Sequence, residues 1–111
     1  MKGLYVKKHS KGIRKIAKCN GNKNRYSVIS KCSNGTINAI SKLSDDILRN
    51  RFPLDKKLEK KLLNKKSKVF LSKLANGKTS ISSRKKLINQ SGRGVLNWLW
   101  EAAKKIVHLF S

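Results

Sequence analysis

The chain has 111 residues, 28 of them Lys or Arg and only 5 Asp or Glu, for a formal charge of +23 at pH 7. That length allows one small core. A one-sided charge of that size opposes compaction and excludes a role indifferent to polyanions, because solubility alone needs a net charge of only about 2–8. Residues 1–34 hold ten basic and no acidic residues, and residues 55–91 hold twelve basic and two acidic. Between them lies a nearly neutral stretch, and after them an apolar tail.

Taken in order, residues 1–22 read as a basic, largely disordered arm with Gly3, Gly12 and Gly21 and little apolar period. A Lys-rich helical body is expected over 23–90. Tyr26, Val28 and Ile29 suit a short helix or a strand. Ile37, Ala39, Ile40, Leu43, Ile47 and Leu48 recur at three- and four-residue steps, which predicts an amphipathic helix from about Thr36 to Asn50. Pro53 is the expected stop. Asp55 reads as the N-cap of a long helix of about 20 residues from Lys56 to Ala75, closed by Asn76-Gly77. Thr79 and Ser80 can cap a last short helix of the body. Residues 91–94 form a predicted Gly joint, and 95–111 an amphipathic helix with Trp98 and Trp100. The expected fold is all-α: a small, loosely packed helical bundle.

On the C-terminal helix Asn97, Glu101, Lys104, Lys105 and His108 share one stripe and the rest is apolar. So wide a face requires cover. Either it completes the core, or Trp98, Leu99, Trp100, Ile106, Val107 and Phe110 meet a partner or an anionic membrane, with tryptophan at headgroup depth.

The lysines point to phosphate contact without sequence preference, since no base-reading motif accompanies them. The expected contacts are Lys7, Lys8, Lys11, Arg14 and Lys15 in the first block. In the second they are Lys56, Lys57, Lys60, Lys61, Lys65, Lys66, Arg84, Lys85 and Lys86. No catalytic set and no cofactor motif stand out. Asp45 and Asp46 read as partners for Arg49 at helical spacing. Cys19 and Cys32 have no CxxC spacing and no histidine nearby, which argues against a metal site. The opening residues lack the apolar run of a secretory signal, and no stretch is long and apolar enough to span a membrane.

Phe52-Pro53-Leu54, then Lys60-Lys61-Leu62-Leu63 and Val69-Phe70-Leu71-Ser72-Lys73-Leu74-Ala75, follow in an order that carries information together. Thr79-Ser80-Ile81-Ser82, Arg84 to Gln90, and Ser91-Gly92-Arg93-Gly94-Val95-Leu96 continue it. Over a little more than half its length the chain resembles the small basic core-type protein of Maverick/Polinton elements and adintoviruses, similar to adenovirus basic core peptides. The resemblance implies a virion or mobile-element core protein that binds and condenses DNA rather than RNA, with capsid proteins as further partners, in the virion or host nucleus. It also implies a processing site at Gly92, Arg93 and Gly94, resembling those of adenovirus-type proteases, whose release of the tail would serve a membrane-active function. A cellular RNA-associated basic protein is the third class the composition suits.

Overall fold

The computed structural model describes residues 4–19, 21–52, 54–90 and 93–109. Eight helices form in these residues: α1 Leu4–Lys8, α2 Ser10–Ala17, α3 Gly21–Lys31, α4 Asn34–Leu48, α5 Lys56–Leu62, α6 Lys65–Ala75, α7 Ile81–Gln90 and α8 Arg93–Leu109. The all-α class is as expected, and there is no strand among the described residues.

Helix α4 is the inner element. Ile37, Ala39, Ile40, Leu43 and Ile47 are buried, and so are Thr36, Ser41, Ser44 and Asp46. A helix buried that far round its circumference has neighbours on most sides, and α4 packs against α1, α2, α6, α7 and α8. Its start is fixed by Ser33, whose hydroxyl accepts from the Thr36 N–H at 3.2 Å. Its end comes before the expected proline. Asn50 takes a left-handed φ of 56°. The Arg51 N–H then reaches the Asp46 carbonyl at 2.9 Å and the Asn50 N–H the Ile47 carbonyl at 3.2 Å. That pair of bonds is a Schellman close, made possible because Asn tolerates the left-handed region.

The long helix expected from Lys56 to Ala75 is two helices. Asn64 makes the break: its Oδ1 accepts from the Ser67 N–H at 2.9 Å, and its Nδ2 donates to the Lys61 carbonyl at 2.9 Å. One side chain thus caps the start of α6 and satisfies a carbonyl at the end of α5. The bend lets Leu58 and Leu62 face α8 while Leu71 and Leu74 face α4. Asp55 caps α5 as expected, accepting from the Leu58 N–H at 2.8 Å. Ser80 accepts from the Ser83 N–H at 3.2 Å at the start of α7. The Asn76-Gly77 stop falls where expected.

The N-terminal arm is not disordered over its described part. Val6, Ile13, Ile16 and Ala17 are buried in the common core. Helices α1 and α2 both lie against α8 and α4. Gly12 marks a close approach rather than a break: a Cβ there would lie 2.7 Å from the Thr36 Cγ2 of α4. Tyr5 fixes α1 further, its hydroxyl donating to Asp46 Oδ2 at 2.5 Å. Burial first, then this hydrogen bond, push the Tyr5 phenol well above its ordinary range. Asp46 also accepts from Arg51 Nη1 at 2.8 Å.

The fold is compact. The Cα radius of gyration is 12.6 Å, against about 13 Å for a compact chain near this length.

Candidate nucleic-acid interface

Each lysine-rich helix turns its leucines or isoleucines inward and its cations outward. On α1 and α2, with Val6, Ile13 and Ile16 buried, Lys7, Lys8, Lys11, Arg14 and Lys15 are exposed. On α5, with Leu58 and Leu62 buried, Lys56, Lys57, Lys60 and Lys61 are exposed. On α6 the same holds for Lys65, Lys66, Lys68 and Lys73, opposite Leu71 and Leu74. Lys15 and Lys56 are about forty residues apart in sequence, yet α1, α2 and α5 all pack on α8.

Among the described residues four of the five acids are in ion pairs with other cations, and Glu59 of α5 is in none. Asp45 pairs with Arg49 Nε at 3.0 Å, the helical spacing anticipated above, and with Arg51 Nη1 at 3.5 Å. Glu101 pairs with Lys104 at 3.0 Å, and Asp55 with Lys105 of α8. Asp55 therefore both caps α5 and ties it to α8. Among the described residues no lysine of α1, α2, α5 or α6 is in an ion pair. Lys56-Lys57 and Lys65-Lys66 also stand in the first turns of their helices. A cation there opposes the helix dipole at roughly 0.3–1 kcal/mol each. These lysines lower local stability and concentrate positive potential at the surface.

Two of the predicted contacts are placed differently. Arg84 is buried, with Nη1 donating to Asn38 Oδ1 at 3.0 Å and Nη2 to the Asn76 carbonyl at 3.1 Å. It joins α7 to α4 and to the end of α6, and offers no phosphate contact. A side chain that reads as one of three consecutive cations is drawn inward to two oxygens that take up Nη1 and Nη2, while its Nε is buried without a partner. Arg84→Ala is expected to lower stability by about 1.5–3 kcal/mol, the range for hydrogen bonds to charged groups. Lys86→Ala, on the exposed side of the same helix, is expected to leave the melting temperature unchanged; thermal denaturation followed by circular dichroism checks both. Lys85 is half-buried and Lys86 exposed. Sequence reasoning also passed over Arg25, which is buried and donates from Nη1 to the Asn89 carbonyl at 3.4 Å.

The apolar face of α8 is core. Leu96, Leu99, Trp100, Ala102, Ala103 and Ile106 are buried, and Trp98 and Val107 are half-buried against the same cluster. Lys61 Nζ lies 5.7 Å from the centre of the Trp98 ring, within cation–π range. The membrane or partner face expected of Leu99, Trp100 and Ile106 is thus covered by α1, α2, α4 and α5; Phe110 lies outside the described residues. No helix among those residues is long and apolar enough to cross a membrane.

The expected Gly joint falls partly outside the described residues, at Ser91 and Gly92. Arg93 and Gly94 already belong to the first turn of α8. A protease cleft needs extended backbone, so cutting between them requires that turn to unwind.

Cys19 and Cys32 are free thiols, and burial pushes the Cys32 thiol up. Among the described residues no group of three His, Cys, Asp or Glu is placed to hold a metal ion. Comparison with protein-family models, curated proteins and solved structures finds no match to this chain.

Proposed function

We propose that this protein binds nucleic acid, DNA before RNA, without sequence preference, and condenses it as a core component of a virion or virus-like element. Its place would be the virion or host nucleus, with capsid proteins as further partners and no catalytic step of its own. The observation that carries the reading is the set of exposed lysines on α1, α2, α5 and α6 outside any ion pair. Four of the five acids meanwhile pair with Arg49, Arg51, Lys104 and Lys105. Such a surface attracts a polyphosphate through counterion release and has no groups organised for reading base edges. The choice of DNA and of an element core rests on the resemblance of residues 37–99 to the Maverick/Polinton and adintovirus proteins.

Titration of two unrelated duplexes at several salt concentrations tests this. If about ten cations touch phosphates, the slope of log K against log salt is expected near −9, equal for both duplexes. A slope shallower than about −3, or a clear preference for one duplex, overturns the reading.

A further inference from the structure

Between α3 and α7 lies a cleft of about 210 Å³, with Tyr26, Ser30, Lys85, Lys86 and Asn89 among its lining residues. Its chemistry differs from that of the lysine faces. Tyr26 is 64% exposed, the only aromatic among the exposed large hydrophobic side chains described. Its ring offers a flat apolar face, with a hydroxyl at the rim, at the mouth of the cleft. The lining contains two lysines and no carboxylate, so the partner it suits is anionic. Asn89 adds a third feature. Its Oδ1 is buried, out of reach of solvent, and has no hydrogen-bond partner in the folded chain, so it accepts an N–H brought into the cleft only once the side chain turns toward it. The floor is held in place: Ile29 of α3 and Ile88 of α7 are buried, and Arg25 Nη1 reaches the Asn89 carbonyl across the two helices.

We propose that the cleft between α3 and α7 takes one base and its phosphate from a single-stranded nucleic acid, with Tyr26 as the stacking ring and Lys85 and Lys86 as the phosphate contacts. A flat π-face, a negative charge beside it and an N–H donor on the same group are what a nucleotide offers. Every base has a π-face, so stacking tolerates any sequence. Every base also carries an N–H on its pairing edge for Asn89. In a duplex both the face and that edge are hidden, so the cleft selects unpaired strands. This rests on the nucleic-acid binding proposed above and adds to it a site that is not electrostatic alone.

The test compares Tyr26→Ala and Tyr26→Phe with the wild type, using a short fluorescein-labelled oligothymidylate and a duplex of equal charge, read by anisotropy. Tyr26 is exposed and makes no described hydrogen bond, so both variants are expected to keep the wild-type helical signal. Tyr26→Ala is expected to weaken oligothymidylate binding roughly tenfold, the scale of one lost stack. Tyr26→Phe is expected to stay at the wild-type level, and duplex binding is expected to be the same for all three. If the wild type binds the duplex and Tyr26→Ala leaves the oligomer untouched, or weakens both ligands alike, the cleft assignment falls and the general reading stands. If the oligomer binds with the expected Tyr26 dependence while the duplex does not bind, the general reading falls and the cleft stands. Binding to neither overturns both.

Discussion

Ile106→Glu is expected to unfold the protein. Ile106 is fully buried in α8, the helix against which α1, α2, α4 and α5 all pack. An unpaired carboxylate in such a site costs several kcal/mol, whether it stays charged or takes up a proton. The whole stability of a domain this size is about 5–15 kcal/mol, and the mutual repulsion of +23 charges draws on that margin. Loss of most of the far-UV helical signal at room temperature, without a cooperative melting transition, is the expected result. Lys60→Glu, which places the same side chain on the exposed face of α5, is expected to retain both signal and transition. The outcome bears on function as well. Were α8 a helix held in reserve for a membrane, Ile106→Glu would leave the body folded and its nucleic-acid binding intact. A folded Ile106→Glu variant would return the tail to the membrane reading.

What was legible in the sequence followed from local chemistry. The apolar steps from Ile37 to Leu48, the Asp55 and Ser80 caps and the Asn76-Gly77 stop each depend on a few neighbouring residues, and each lies where the pattern put it. What was not legible depended on partners distant in the chain. Val6, Ile13 and Ile16 look sparse beside their lysines, but α4 and α8 supply the rest of their surroundings. Gly12 reads as a breaker until Thr36 is seen to occupy the space of its missing Cβ. Arg84 reads as a surface cation because Asn38 and Asn76, its two acceptors, are 46 and 8 residues away. The break at Asn64 had a local signal, since Asn before a Lys-Lys-Ser run is a good N-cap. The unbroken leucine stripe on either side outweighed it.

The lysine surface divides in the same way. Outward placement of the α5 and α6 lysines follows from the helical period alone, given that the leucines point inward. The fate of the acids does not: Asp55 meets Lys105 of α8 across the fold, and Asp46 meets Tyr5 of α1. Lys105 offsets the charge of Asp55, and Arg51 that of Asp46, so neither carboxylate softens the field around the lysines unopposed. Four of the five acids are tied to a cation and Glu59 is half-buried on α5, which leaves a surface dominated by one sign on a compact body. A disordered cationic tail would give the same net charge with less order; here the cations are held on helices whose relative positions the core fixes.

Removal of residues 1–17 is expected to destroy the fold and not merely to trim its charge. The segment carries the buried Val6, Ile13, Ile16 and Ala17 and the Tyr5–Asp46 hydrogen bond. Burial of each larger aliphatic side chain stabilises by about 1.5–3 kcal/mol. The three of them together contribute roughly 5–9 kcal/mol before any compensation, which is comparable to the total stability of a small domain. Their loss also uncovers α8 on one side and leaves the Asp46 carboxylate without the Tyr5 donor. The truncated chain should therefore show a large fall in helical signal and bind the hydrophobic dye ANS. The charge of the same segment is separable from its packing. Lys7, Lys8, Lys11 and Lys15 are exposed and in no described ion pair, so changing all four to Gln is expected to keep the helical signal and the melting temperature. If these four touch phosphates, their loss should flatten the salt slope of duplex binding by about 3.6, at 0.9 per contact. A truncated protein that melts like the full chain would mean that α1 and α2 contribute no packing. A fourfold Gln variant with an unchanged slope would remove this segment from the interface and leave α5 and α6 to carry it.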